Sequence, residues 1–398
     1  MNHVSFDKKA TIKYLVWTFL ITWIIQVIVA VLYRNGLAAF GQLLMSIMMF
    51  VPLLGVLLSG QTLSGMGWKP RLKGKIKLLL AAWLLPALLT AIGAVLYFAV
   101  FPGYFDLSGD YLVSVAGAEV LEQLEAQGLT YPLYVLISVV SCLTYAPLVN
   151  MVLAAGEEAG WRGFLYPQLK AKFGKVKGLL LGGVIWGMWH WPLMWLIGYE
   201  YGTDYVGFPV VGMLLFCVFT TAAGILCDWL YEKTGCIWLP SIFHGAVNAA
   251  GTVPLAICAA NTGSAILLGP APIGLLAGLP LCICAAVLLF RAPVGQAETP
   301  LPSVEALDRA ACPDVSCTRK GAEGMRWKKL IAPIIITVLV CIWFLFYIAV
   351  VLWIPGAPAI VRILGAVIPA LLGGVAIYNL IQRIQEIRSG EEDDLDNY

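Results

Sequence analysis

The stretch YPLYVLISVVSCLTYAPLVNMVLAAGEEAGWR (131–162) is apolar for the length of a membrane crossing and then closes on two carboxylates and a guanidinium. About 20 apolar residues carry a helix across ~30 Å of hydrocarbon. Residues 132–155 therefore read as a span whose helix continues past Glu157 and Glu158 to about Tyr166. Ionised groups at membrane depth cost on the order of several kcal/mol each, so a Glu-Glu-x-x-x-Arg run there calls for a use.

Runs of the same kind recur along the chain. The expected spans are 12–33, 37–60, 77–101, 132–155, 178–198, 207–230, 236–259, 271–290, 330–354 and 359–380. The composition agrees: 60% of the 398 residues are hydrophobic and 12% are charged, against roughly 25% charged in soluble domains. The fold class is an all-α polytopic membrane protein of about ten transmembrane helices, with a core formed by spans 4 to 7 or 8. The first span is too long for a signal-peptide core and is read as retained.

Basic residues set the expected orientation. With the N-terminus inside, every Lys and Arg except Arg34 and Arg362 falls on the inner side, and the loop at 102–130 carries only acidic charges. Both termini are then cytoplasmic, in a multi-pass protein of a bacterial plasma membrane. Four regions follow: a three-helix membrane region with its acidic outer loop (1–130), a core (131–290), a Pro-, Ala- and Ser-rich cytoplasmic linker (291–329), and a transmembrane hairpin with an acidic tail (330–398). Eight of the ten cysteines lie in or beside spans, where Cys behaves as a small hydrophobe. Cys312 and Cys317 fit no zinc ribbon.

The chain has three histidines, and two of them, His190 and His244, lie in spans of the core. Glu158 and Arg162 are four apart and share a helix face, whereas Glu157 is turned about 100° away and is left to face a cavity. At 1.5 Å per residue, His190 lies roughly 20 Å beyond Lys177, while His244 and Asn248 lie roughly 12 and 18 Å into the seventh span. By the same rise, Glu157 is roughly 13–20 Å deep. Three helices thus bring polar groups to one depth. A carboxylate and an imidazole can activate water; a second imidazole and an amide can donate to a developing oxyanion. The same Glu157, His190 and His244 could hold zinc, although HExxH is absent and the donors come from different helices.

Glu157-Glu158-x-x-x-Arg162, Trp186-x-x-x-His190 and His244-x-x-x-Asn248 resemble the three motifs of the CAAX-protease and bacteriocin-processing family of intramembrane proteases, which includes the bacterial Abi proteins. The resemblance covers about residues 131–260. It implies that Glu157 and His190 activate the attacking water, that His244 and Asn248 form the oxyanion site, and that Glu158 with Arg162 orders the first motif. The second motif usually opens with Phe, and here Trp186 fills that place. The implied activity is an endopeptidase acting on a membrane-associated peptide or protein at the bilayer, with zinc unsettled and no nucleic acid involved. Two other readings stand beside it: a non-proteolytic scaffold, regulator or peptide-immunity protein that keeps the fold, and a transporter using Glu157 and His190 as a proton relay. The Trp cluster (Trp186, Trp189, Trp191, Trp195) reads mainly as packing and interfacial anchoring.

Overall fold

The computed structural model describes residues 5–70 and 72–291, with isolated helical positions between 334 and 384. The described chain is helical: α1 (Lys8–Arg34), α2 (Ala38–Met48), α3 (Val51–Leu58), α4 (Ile76–Val100), α5 (Asp110–Ala116), α6 (Glu119–Ala126), α7 (Tyr131–Leu143), α8 (Ala146–Gly160), a π-turn (Trp161–Leu165), α9 (Tyr166–Phe173), α10 (Lys175–Trp189), α11 (Trp191–Ile197), α12 (Val210–Thr234), α13 (Trp238–Ala256) and α14 (Leu279–Arg291). It is a membrane protein. Among the described residues α1, α4, the α10–α11 run and α12 are long and apolar enough to cross a bilayer, and the bent pairs α2–α3 and α6–α7 bring the number to six. The spans expected at 330–354 and 359–380 and the linker before them lie outside the continuously described residues.

α1 shows which way round this protein is built. Asp7 caps it by accepting from the Ala10 amide at 2.9 Å, satisfying one of the helix's free donors. Thr18, Thr22 and Gln26 recur at helical spacing and are fully buried, while Val16, Leu20, Ile24, Val27 and Val31 are exposed. Polar residues turned inward and aliphatic ones outward suit a lipid surround, where interhelical hydrogen bonds rather than apolar burial hold helices together. Gln26 Nε2 donates to the Trp189 carbonyl at 3.0 Å, and Trp189 Nε1 donates to Thr22 Oγ1 at 2.7 Å. The first helix is thereby tied to the end of α10.

Three expected spans are interrupted, each just before a proline; the span at 37–60 breaks at Met49 and Phe50 into α2 and α3, with Pro52 in the first turn of α3. The span at 132–155 breaks at Thr144 and Tyr145 into α7 and α8, with Pro147 in the first turn of α8. Proline clashes with the carbonyl four residues earlier and is tolerated only in a first turn, which for Pro147 makes Leu143 the last residue of α7. Beyond the carboxylates the helix runs farther than its expected end at Tyr166, through the π-turn and α9 to Phe173. The fifth span breaks in the same way at His190, with Pro192 in the first turn of α11. The eighth is shorter than expected: α14 begins at Leu279, after an irregular segment.

α13 packs along α8 and α4, and α10 along α12 and α9. The α8–α13 approach depends on Gly245, where a Cβ would stand 2.6 Å from the Met151 amide nitrogen and 2.8 Å from the Pro147 carbonyl oxygen. Backbone cannot yield as a side-chain tip can. Gly245→Leu should lower the stability of the detergent-solubilised protein by about 1–3 kcal/mol, the usual cost of overpacking, read as a fall in thermal unfolding midpoint. An unchanged midpoint would mean that α8 and α13 are not in this contact.

Candidate active site

Glu157 and Glu158 fall in the last turn of α8, both buried, where the following π-turn widens the helix. Such π-turns recur at functional sites because they re-aim side chains. Glu157 does have a local partner, and it is not Arg162: its Oε2 accepts from Trp161 Nε1 at 3.1 Å and from Trp186 Nε1 of α10 at 2.8 Å. Glu158 takes the expected bond from Arg162 Nη1 at 2.9 Å. The same carboxylate oxygen, Oε1, also accepts from His244 Nδ1 of α13 at 2.9 Å. No spacing rule could have shown that second bond, because it joins helices far apart in sequence.

Arg162 is fully buried, and its guanidinium lies 4.4 Å from the Trp186 ring centroid and 4.7 Å from that of Tyr166. Its Nε and Nη2 have no hydrogen-bond partner, so aromatic faces stand in for some of the lost hydration. Trp186 is more than a space-filler. Its indole N–H holds Glu157, its carbonyl accepts from His190 Nδ1 at 3.0 Å, and its ring meets His244 edge-on with centroids 5.1 Å apart. A Phe at this position would keep the ring contacts and lose the donor.

His190 sits at the junction of α10 and α11. A backbone carbonyl can only accept, so the bond to Trp186 places the proton on Nδ1 and leaves Nε2 as the basic nitrogen. Trp189, Phe216 and Tyr199 pack around the ring, Tyr199 parallel to it at 6.3 Å. Asn248 lies one helical turn beyond His244 on α13 and is exposed to the cavity. Glu157, Trp186, His190, His244 and Asn248 all line one cavity of about 800 Å³. Glu158 and Arg162 stand behind it, supporting its wall.

Among the described residues no three His, Cys, Asp or Glu side chains are grouped as metal ligands. Each of the three expected donors has one polar atom committed to a protein partner and the other free, an arrangement that metal-ligating histidines share. The eight cysteines described are unpaired thiols.

One cavity residue has no counterpart in the sequence reading. Glu200, in the turn after α11, lines the same space. Its φ is 73°, the only positive value at a non-glycine position among the described residues, between Gly198 at 67° and Gly202 at 69°. A left-handed non-glycine residue costs about 1–2 kcal/mol. Burial raises the Glu200 carboxyl above the usual carboxylate range, and a hydrogen bond with Tyr199 partly offsets this. The signal available in the sequence was a glycine-bracketed acid, GYEYG, too common a pattern to single out.

An all-helical membrane protein with a buried Glu-Glu-x-x-x-Arg turn facing two intramembrane histidines defines a class, and comparison with known proteins narrows it. Residues 139–250 match the family model described as type II CAAX prenyl endopeptidase Rce1-like. The CAAX prenyl protease 2 of Methanococcus maripaludis is 29% identical over 107 residues, which is 26% of this chain; the chain spans 39% of that relative's length. The likeness to the CAAX prenyl endopeptidases is therefore carried by residues 139–250, and all seven residues singled out above lie within that match.

Arg162→Leu would leave the buried Glu158 carboxylate with His244 alone. Breaking one side of a buried pair costs about 3–5 kcal/mol. The variant should show a large fall in unfolding midpoint in detergent, whereas Lys69→Leu, at an exposed position between α3 and α4, should not. Equal midpoints for the two would contradict the buried pair.

Proposed function

We propose that this protein is an intramembrane endopeptidase that hydrolyses a peptide bond with water activated at Glu157. The observation that carries this reading is the cavity itself, lined by Glu157, His190, His244 and Asn248. The Glu157 carboxylate and the two imidazoles are each fixed through one atom by a protein partner, which leaves the other for a reactant.

In this reading the two indole N–H groups hold Glu157 through Oε2, and Oε1 takes a proton from water as its oxygen attacks the scissile carbonyl. Nε2 of His190 accepts the water's other hydrogen bond and aligns it. The carbonyl oxygen becomes an oxyanion, and donors placed where that charge develops lower the barrier most. Those donors are the Asn248 amide and Nε2–H of His244. Nδ1 of His244 is engaged by the Glu158 carboxylate, so Nε2 is the ring atom left to face the substrate. Glu157 then passes its proton to the departing amine nitrogen, the C–N bond breaks, and the new carboxylic acid gives up the water's remaining proton to the amine, so that a carboxylate and an ammonium leave. All of this is done by the chain's own residues, without a metal step.

The substrate is a membrane-associated peptide or protein segment at a bacterial plasma membrane in which both termini face inward. A prenylated CAAX protein would suit the resemblance to the prenyl endopeptidases; a bacteriocin or signalling precursor would suit the bacterial Abi-like proteins.

The test is cleavage of a panel of lipidated and transmembrane peptides by the purified full chain in liposomes, followed by mass spectrometry. Glu157→Gln, which keeps the side chain's shape, should slow cleavage about 10²–10⁴-fold, the range ascribed to a general base. A folded wild type that cuts nothing the variant spares would overturn the reading in favour of a scaffold. Proton-coupled flux dependent on Glu157 in the same liposomes would favour a transporter. EDTA should leave the cleavage rate unchanged, and a loss restored by zinc would contradict the metal-free route. Trp186→Phe should reduce the rate about tenfold or more, since a hydrogen bond to a charged group is worth about 1.5–3 kcal/mol, without changing the unfolding midpoint.

A further inference from the structure

Beyond the four residues assigned to chemistry, the cavity holds one more carboxylate. We propose that Glu200 is a subsite for a cationic group on the substrate, a Lys or Arg side chain or a free N-terminal ammonium, held close to the bond that is cut. The proposal rests on reading the cavity as a peptide-binding site.

Four observations carry it. Glu200 lines the same cavity as Glu157, His190, His244 and Asn248, with Tyr111 and Tyr199 beside it. It is the only described non-glycine residue with a positive φ, although glycine would adopt that backbone without strain. Backbone strain that stability does not require is concentrated at binding and catalytic sites. Its carboxyl has the Tyr199 hydroxyl as a hydrogen-bonding neighbour but takes part in none of the ion pairs among the described residues. The segments at this end of the cavity, 102–130 and 198–209, contain acidic residues and no Lys or Arg. Arg34, at the end of α1, is engaged by the Leu196 carbonyl at 3.1 Å.

The geometry also limits where the cation must lie. Tyr199 is next to Glu200 in the chain, and its ring is 6.3 Å from the ring of His190. At ~3.3–3.6 Å per extended residue, a peptide cut beside His190 can place only its nearest few side chains at Glu200. The effect should therefore be confined to one or two adjacent positions. A general attraction of basic peptides to an acidic surface would instead be indifferent to position.

The test is a binding measurement on the full-length Glu157→Gln protein in micelles, so that no peptide is consumed. The probes are palmitoylated, otherwise neutral peptides with a capped N-terminus, carrying a single Lys or a single Gln walked along the sequence. Uncapped Lys-free peptides distinguish an N-terminal ammonium from a side-chain cation. Lys should bind about tenfold tighter than Gln at one or two neighbouring positions, the scale expected for a partly desolvated charge pair. Adding Glu200→Gln should abolish that preference, and Glu200→Lys should turn it toward Glu-containing peptides. Glu200→Gly, which relieves the backbone, should also lose the preference while melting no lower than the parent. A Lys preference that survives Glu200→Gln and Glu200→Gly, or that is equal at every position, would overturn the proposal. Binding preference without cleavage by the Glu157 protein would overturn the protease reading and support the subsite; cleavage without preference would overturn the subsite alone.

Discussion

A single carboxylate oxygen, Oε1 of Glu158, accepts from Arg162 and from His244 in a place that water does not reach. Inside a bilayer, apolar faces gain little by leaving lipid for one another, so helices are held by packing and by polar bonds of this kind. The bond to His244 joins α8 to α13. The bond to Arg162 fixes the π-turn and presses the guanidinium onto Trp186 of α10. Trp186 in turn holds Glu157 by its indole and His190 by its carbonyl. Every residue assigned to the chemistry except Asn248 is thus oriented through Glu158, His244 directly and Glu157 and His190 by way of Arg162 and Trp186. A buried charge pair adds little net stability over a well-packed apolar core; what it gives here is one permitted arrangement of three helices.

The first helix takes part in that arrangement. Thr22 and Gln26 grip Trp189 by its indole and its carbonyl, and His190 is the next residue, where α10 gives way to α11. Close approach of backbones does the rest, as at Gly245 between α13 and α8. The site is therefore assembled from the region of the family match together with a helix that precedes it.

The helical class and the membrane setting were legible in the sequence, and so was the gathering of Glu157, Trp186, His190, His244 and Asn248 about one cavity, because each starts from a local pattern. Apolar run length marks spans, and spacing of four marks the Glu158–Arg162 pair. What escaped has one cause: partners contributed by distant segments leave no periodic trace. The His244–Glu158 bond is of this kind, as is the indole of Trp186 on Glu157. The buried Thr18, Thr22 and Gln26 of α1 are neutral and pass unnoticed in a search for intramembrane charges. The breaks before Pro147 and Pro192 were written in the sequence and were hidden by the continuous hydrophobicity around them. Glu200 was missed because nothing in its letter announces a left-handed backbone.

The chemistry assigned to the cavity requires particular protons on particular nitrogens: Nδ1 of His190 bonded to the Trp186 carbonyl, and Nδ1 of His244 bonded to Glu158. With three histidines in the chain, ¹⁵N imidazole spectra of the intact protein in micelles can be assigned from His190→Gln and His244→Gln. Such spectra report the tautomers directly. The account predicts that both rings carry hydrogen-bonded Nδ1 protons, and that Glu158→Gln shifts the His244 signals while leaving those of His190 in place. An Nε2–H tautomer at His190, or His244 signals indifferent to Glu158→Gln, would contradict it.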